Sequence, residues 1–377
     1  MIIAHLSDTH LGRYMGEDEE RERDHYESFR EAVDVILEDH VRVVVHSGDI
    51  LNKPLVYGTP LKVLLAELGR LSQSGVKTYF TLGEHDIASY PGTPNPLLLD
   101  SVLGLAEYVG DGRRHGDEQI SVFGLMRHHK AFTRKLEDKL EKIAAEARNT
   151  GSRRKILILH QGLNELHGPA GDLSLAVIPD EFDYYAMGHI HNPSRRVKGR
   201  GLLAYPGALH WTKIDDPDEC GFYLVDLSGR EPELEWVRLS NVRPKIVRQV
   251  DEEDVGMMVS QLLSENHVKK PLLSLMVRTT ERKNMRKLEE ELSEKYLLHG
   301  GRIMQVVRGG NGLVYDEPPN IERELVKLAS EVIKDDVDAV FFTGEFRRLL
   351  VEGAVKHAFE LVWKHYSERC EVVDRAN

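Results

Sequence analysis

VVVHSGDILNKP, residues 43–54, is the stretch on which the reading of this chain turns. Three consecutive valines need burial on both faces, as in an inner strand of a layered α/β sheet. The apolar run then stops at Ser47-Gly48-Asp49, a turn and a carboxylate placed where strand packing ends. The same arrangement recurs on either side. IIAHLSD (2–8), KTYFTLGEHD (77–86), KILILHQG (155–162) and FDYYAMGHIH (182–191) each carry an apolar strand into Gly, His or Asp. Between them Tyr26, Phe29, Ala32, Val33, Ile36 and Leu37 keep helical spacing, as do Leu61, Leu64, Leu65, Leu68 and Leu71 before Gly75. Strands alternating with helices predict a layered α/β fold. ISVFGL (120–125) and GFYLVDLSG (221–229) read as strands of the antiparallel or hairpin type.

At 377 residues the chain is long enough for two or three domains. It is 41% hydrophobic, 30% charged and 7% aromatic, the balance of a soluble globular protein. No run of eighteen apolar residues occurs, so no membrane span is expected. MIIAHLSDTH lacks a basic leader and reads as an opening strand. Cys220 and Cys370 stand alone, which suits a reduced, cytosolic compartment. A formal charge of −12 argues against coating nucleic acid by bulk charge.

KIVRQVD (245–251), PLLSLMVRT (271–279) and RIMQVV (302–307) predict three further strands. A helix around Val255, Met258, Val259, Leu262 and Leu263 and another from Lys283 to Leu298 separate them, giving a small β-α-β-α-β module. GGNG (309–312) and DEPPN (316–320) read as a linker. The tail is helical: Leu325, Leu328, Ala329, Val332 and Ile333 form one stripe. Beyond it, Phe346, Leu350, Ala354 and Leu361 mark one face, and Val355, Phe359, Val362 and Tyr366 another. A terminal helix apolar on two sides predicts a partner for the second.

Five segments carry the chemistry: Asp8-Thr9-His10, Gly48-Asp49, Gly83-Glu84-His85-Asp86, His160-Gln161-Gly162 and Gly188-His189-Ile190-His191. Each follows an apolar strand, and ligand sites in open α/β sheets lie beyond the carboxyl ends of strands. D-x-H and H-x-H each aim two side chains to one side, because the extended backbone has a period of two. Mixed imidazole and carboxylate ligands suit manganese, iron or zinc. His128-His129 is set aside as a ligand pair, because adjacent side chains diverge.

Together these motifs resemble the signature of the calcineurin-like metallophosphoesterase superfamily. VVVHSGDILNKP, ILILHQG, YYAMGHIHNP and AYPGAL look more narrowly like the DNA repair nuclease family Mre-eleven/SbcD, over the whole chain. The resemblance implies a four-layer sandwich of two mixed sheets flanked by helices (1–242). It also implies a small α+β DNA-capping domain (243–310) and helices (320–377) that bind a coiled-coil ATPase of the Rad-fifty/SbcC type. One metal would be held by Asp8, His10, Asp49 and His191, and a second by Asp49, Glu84, His160 and His189. His85 would assist the leaving group and Asp86 would orient it. The activity implied is manganese-dependent DNA exonuclease and endonuclease cleavage with two Mn(2+) ions per subunit, at broken DNA ends, by a homodimer. The setting implied is the prokaryotic cytoplasm, near the nucleoid. A generic small-substrate phosphodiesterase and a DNA-end scaffold with impaired catalysis are the alternatives.

One position departs from the pattern: the family carries Asn where this chain has Glu84. Three consequences are open, namely a substitute ligand with activity kept, a different metal or slower reaction, and a site lost to catalysis. Asn52, where some relatives have His, is a lesser departure. For DNA contact the candidates are Arg195, Arg196, Lys198 and Arg200, which follow GHIH and are expected near the metals. A second cluster is Lys269, Lys270, Arg278, Arg282, Lys283, Arg286 and Lys287.

Overall fold

The computed structural model describes residues 1–87, 95–99, 103–129, 132–168, 171–309 and 312–313. In the C-terminal part it describes 329–330, 333, 336–344, 346–347, 349 and 355–376. The chain divides into two compact units, 1–245 with 269–271, and 246–268 with 272–377.

The first unit contains two six-stranded mixed sheets. In the first, β1 (Ile2–Leu6), β2 (Val43–His46), β3 (Lys77–Phe80) and β4 (Glu107–Tyr108) run parallel. In the second, β5 (His115–Gly116) pairs antiparallel with β6 (Ile120–Leu125), after which β7 (Arg154–His160) and β8 (Tyr184–Gly188) continue in parallel. β9 (Ser194–Lys198) forms the far edge, antiparallel to β10 (Gly201–Tyr205), which is parallel to β8. A hairpin of β11 (Gly221–Asp226) and β12 (Glu233–Arg238) completes the first sheet, with β11 antiparallel to β1. GFYLVD is thus a hairpin strand as expected. ISVFGL is a correction: its longer pairing, to β7, is parallel, and a short apolar run cannot signal the direction of its neighbour.

Alternation along the strands builds the layers. Ile3, Val43, Val45 and Tyr79 of the first sheet meet Val122, Ile156, Ile158 and Tyr184 of the second in one buried cluster. The alternate residues face outward. Ala4, Leu6, Val44 and Phe80 pack with Phe29, Val33 and Ile36 of α1 (Glu19–Glu38) and Leu64, Leu68 and Leu71 of α2 (Thr59–Gln73). Phe123, Leu157, Leu159 and Met187 pack with Leu136, Leu140 and Ile143 of α3 (Thr133–Asn149). Helix, sheet, sheet, helix is the four-layer sandwich that the sequence predicted.

The second unit has its own sheet, in the order β13 (Lys245–Asp251), β14 (Leu272–Thr279), β16 (Met304–Gly309), β17 (Gly312–Leu313), with β15 (Leu297–Leu298) against β14. α4 (Asn164–His167) belongs to the first unit; α5 (Val255–Ser264) and α6 (Arg286–Ser293) belong here. Val255, Val259, Leu262, Leu273, Leu275, Val277 and Leu292 form the core of this unit. The helix expected to run from Lys283 to Leu298 is shorter, since Leu297 and Leu298 leave it to pair with β14. In the tail, α7 (Asp336–Thr343) and α8 (Val355–Ala376) are helical. Leu325, Leu328, Val332, Leu350, Ala354, Gly310, Asn311 and 316–320 lie outside the described residues. Among the described residues no helix is long and apolar enough to cross a membrane.

Candidate metal centre

Strand register brings the five loops together. Leu6 pairs with His46 and His46 with Phe80, while His160 pairs with Gly188. The loops after β1, β2 and β3 therefore leave one sheet side by side, and those after β7 and β8 leave the other. Asp8, His10, Asp49 and His189 take φ of 51°, 50°, 53° and 90°, the left-handed region that residues with a Cβ seldom enter. Neighbouring loops hold them there: Asp8 N–H donates to Gly48 O (3.0 Å) and His10 N–H to Asp49 O (3.0 Å). Gly83 is required for close approach, because a Cβ there would lie 2.1 Å from Asp49 Oδ1.

Asp86 is fully buried and accepts from the backbone N–H of Ile50 (3.2 Å), Leu51 (2.8 Å) and Gly83 (2.9 Å). Burial, reinforced by the nearby charge of Asp49, pushes its carboxyl up to about 7. This corrects the role expected for it. His85 Nδ1 lies 3.0 Å from the Asn52 carbonyl, which can only accept, so Asn52 fixes the His85 ring. Asp86 braces the two loops that carry Asp49 and His85.

The remaining predicted ligands converge. His160 Nε2 is 3.4 Å and His10 Nε2 3.9 Å from Asp49 Oδ2. Asp8 Oδ1 is 3.7 Å from His191 Nε2 and 3.9 Å from His10 Nε2. The Nε2 atoms of His10 and His191 face each other at 3.3 Å. The His85 ring stands edge-on to His10 with centroids 4.9 Å apart. Asp8-His10-His191, His10-Asp49-His85 and Asp8-Asp49-His160 each bring three donor atoms within 4.8 Å of one another.

The donor set fits divalent cations. His160 Nδ1 is 2.7 Å from the Ser47 carbonyl, and His191 Nδ1 is 3.0 Å from Asp216 Oδ2. Both acceptors take the Nδ1 proton, leaving the Nε2 lone pair for the centre, as metal-binding histidines require. Asp8 Oδ1 and His160 Nε2 are buried with no hydrogen-bond partner, a cost that a bound cation removes where it meets them. Charge agrees with this arrangement. Burial alone would raise the Asp49 carboxyl, but the imidazoles of His160, His10 and His85 hold it well below the usual carboxylate range. Burial likewise opposes a charged His160, yet the Asp49 carboxylate beside it brings that imidazole up to about 9, so without a cation Nε2 holds a proton that a bound ion would displace.

Glu84 and His189 form a flank to this cluster. Glu84 is exposed, with Oε2 3.9 Å from His189 Nδ1 and 3.8 Å from Arg127 Nε. His189 packs on His160 with ring centroids 5.4 Å apart. Burial drives its imidazole down to about 3, with His160 and Arg127 adding to the effect. Arg127, Asp172 and Asp216 were missed by sequence reasoning. Arg127 Nη1 bonds Asp172 Oδ2 at 2.9 Å, and that carboxylate is 3.8 Å from His189 Nε2. Arg127 also follows an apolar strand, β6, and that position was its one signal.

The basic residues separate. Ser194 pairs with Tyr205 at the site end of β10, but Lys198 pairs with Gly201 at the opposite end. Four residues of strand cover about 13 Å, so Lys198 and Arg200 do not lie near the centre as expected; Arg195 and Arg196 begin at the near end. Lys198 is bound to Asp180 at 2.9 Å. Lys269 and Lys270 lie in the first unit, with Lys269 2.7 Å from Asp24. In the second unit Lys283 pairs with Glu252, Arg278 with Asp251 and Arg286 with Glu290.

A double sheet between helices, with a buried His/Asp cluster at its strand ends, defines a metallophosphoesterase. Residues 1–230 match the calcineurin-like phosphoesterase superfamily domain. The chain is 31% identical over 264 residues to the DNA double-strand break repair protein Mre11 of Methanocaldococcus jannaschii, covering 67% of this chain and 70% of that protein. It is 29% identical to Mre11 of Thermoplasma acidophilum, covering 72% and 76% of the two chains. Against Mre11 of Sulfolobus acidocaldarius it is 25% identical, covering 93% and 94%. The chain belongs to the Mre11 family of calcineurin-like phosphoesterases, enzymes whose fold implies divalent metal ions.

Proposed function

We propose that this chain is a manganese-dependent DNA nuclease that hydrolyses phosphodiesters at broken ends, with two ions per subunit. The observation that carries this reading is the pair of buried, partnerless ligand atoms Asp8 Oδ1 and His160 Nε2, in a chain of the Mre11 family. Asp8, His10, Asp49 and His191 would hold one ion, and Asp49, Glu84, His160 and His189 the other. When bound, the pair neutralises phosphate oxygens and makes a water nucleophilic at neutral pH. His85 is exposed with Nδ1 tied to Asn52, which leaves Nε2 as the ring nitrogen that would, when protonated, donate to the departing oxygen. Such assistance is commonly worth about 10²–10⁴ in rate. The test is metal content and cleavage of duplex ends measured beside hydrolysis of bis-p-nitrophenyl phosphate. Turnover of both is expected; turnover of the small diester alone would leave a generic phosphodiesterase.

Two predictions follow from the centre itself. Manganese at about 100 times its dissociation constant stabilises by about 2.7 kcal/mol. For a domain of this size that raises the melting temperature by roughly 5–10 °C, and a chelator should reverse it. A melting temperature indifferent to both would contradict ion binding. The second concerns Glu84, whose extra negative charge is met by Arg127 at 3.8 Å. That cation favours a substitute ligand with activity kept over a site lost to catalysis. Across a manganese titration, wild-type turnover should equal or exceed that of Glu84→Asn, and a faster mutant would overturn this view.

DNA contact is assigned to Arg195, Arg196, Lys198, Arg200, Lys283 and Arg286, in a nuclease domain (1–242) and a capping domain (243–310). Those already paired to acids exchange one ion pair for another on binding, so their contribution is small. The helices of 320–377 are assigned to the coiled-coil ATPase of the Rad-fifty/SbcC type, and the protein to a homodimer in the prokaryotic cytoplasm, associated with the nucleoid. Support for the tail comes from α8, where Phe359, Trp363 and Tyr366 lie along one side and are 72%, 75% and 67% exposed.

A further inference from the structure

We infer that a cleft beside the metal centre, between the end of β6 and the first turns of α3, binds a single strand of nucleic acid. The inference rests on the nuclease reading above and adds a place for the strand next to the scissile bond. The cleft has a volume of about 620 Å³ and is lined by Met126, Arg127, His128, Phe132, Lys135 and Lys139, with Glu84 at its inner side. Glu84 and Arg127 also flank His189 and Asp172, so the cleft opens on the metal centre. Its volume falls in the range of pockets for small ligands, enough for a nucleotide.

The lining has the chemistry of a strand-binding groove. Lys135 and Lys139 are four residues apart on α3 and share one face. Neither has an acidic partner among the described residues, whereas Lys198, Lys269, Lys283 and Arg286 each do. Burial, and then the charge of Lys135, lowers the Lys139 ammonium below its ordinary range. Two like charges held together at this cost are relieved by an anion. His128 Nδ1 donates to the Met126 carbonyl at 2.7 Å, which leaves Nε2 to accept from Lys139 Nζ at 3.1 Å and fix its position. Phe132 stands 60% exposed in the same cleft. Cations that follow a backbone, next to an aromatic face for a base, are how single strands are held without regard to sequence.

The test uses the full chain without divalent metal, so that the centre neither cuts nor contributes. Affinity for a fluorescein-labelled single-stranded 20-mer is read by anisotropy across a salt series. Lys135→Ala with Lys139→Ala should weaken binding about tenfold and reduce the log–log salt slope by about 1.4, at about 0.7 per phosphate. Phe132→Ala should cost about tenfold through lost stacking. Turnover of bis-p-nitrophenyl phosphate with manganese should not change in either variant, and Lys135→Arg with Lys139→Arg should restore DNA affinity. Unchanged affinity and slope in the alanine variants overturn the cleft. Loss of small-diester turnover without rescue by arginine assigns the lysines to the fold or the centre, and also overturns it. If the wild type hydrolyses the small diester yet neither binds nor cuts DNA, the nuclease reading itself fails, before any variant is compared. A wild type that cuts DNA, with variants that bind normally, sinks the cleft alone.

Discussion

Asp49→Asn is expected to lower phosphodiester turnover by about 10³–10⁴-fold and to reduce bound metal in the same preparation. The shape of the site should survive: the amide oxygen can still accept the His85 backbone N–H that Oδ1 accepts at 2.8 Å. What changes is charge. Asp49 Oδ2 approaches both His10 and His160, at 3.9 Å and 3.4 Å, which suits the bridging role proposed for it. Metal-assisted charge stabilisation is worth several kcal/mol, and each 1.36 kcal/mol is a factor of ten in rate. Metal content by emission spectroscopy and turnover of bis-p-nitrophenyl phosphate measure the two effects. Turnover within tenfold of wild type, with both ions retained, would remove Asp49 from the bridging role.

Phe359→Ala combined with Trp363→Ala should weaken association with the coiled-coil ATPase by about 10²–10³-fold, since exposed aromatic anchors commonly contribute 2 kcal/mol or more each. The other side of α8 is already occupied. Ala358 is buried, His365 Nε2 bonds Asp338 at 2.8 Å, and the Phe341 ring stacks on His365 with centroids 3.8 Å apart. The aromatic stripe is therefore left for a second surface. Calorimetric titration of the two purified proteins reads the affinity, and manganese-dependent cleavage by the variant should be intact. Deleting 320–377 should behave the same way. An unchanged dissociation constant would move the interface elsewhere.

The layers of the first unit were legible because period and burial coincide: Val43 and Val45 face one way, Val44 the other, and all three are buried. The ligand loops were legible because each ends such a strand. Their supports were not. Arg127, Asp172 and Asp216 are single polar residues in loops, and only the folded chain reveals that they bear on Glu84, His189 and His191. Asp216 stands in the acidic run 215–219, which reads as a solvated surface until His191 is found 3.0 Å away. The basic cluster after GHIH misled for the opposite reason: nearness in sequence became distance in space, because β9 runs away from the site. Trp363 went unnoticed between Phe359 and Tyr366, although its spacing completes their stripe.

The left-handed backbone at Asp8, His10, Asp49 and His189 has a consequence for how such a protein changes under selection. A residue without a Cβ, or asparagine, rests in that conformation with less strain. A library of this chain screened only for thermal survival without metal should therefore enrich glycine and asparagine at these four positions. The screen would deliver hardier proteins that no longer cut. Where function has set the backbone against its own preference, robustness and activity are read from the same four positions with opposite sign.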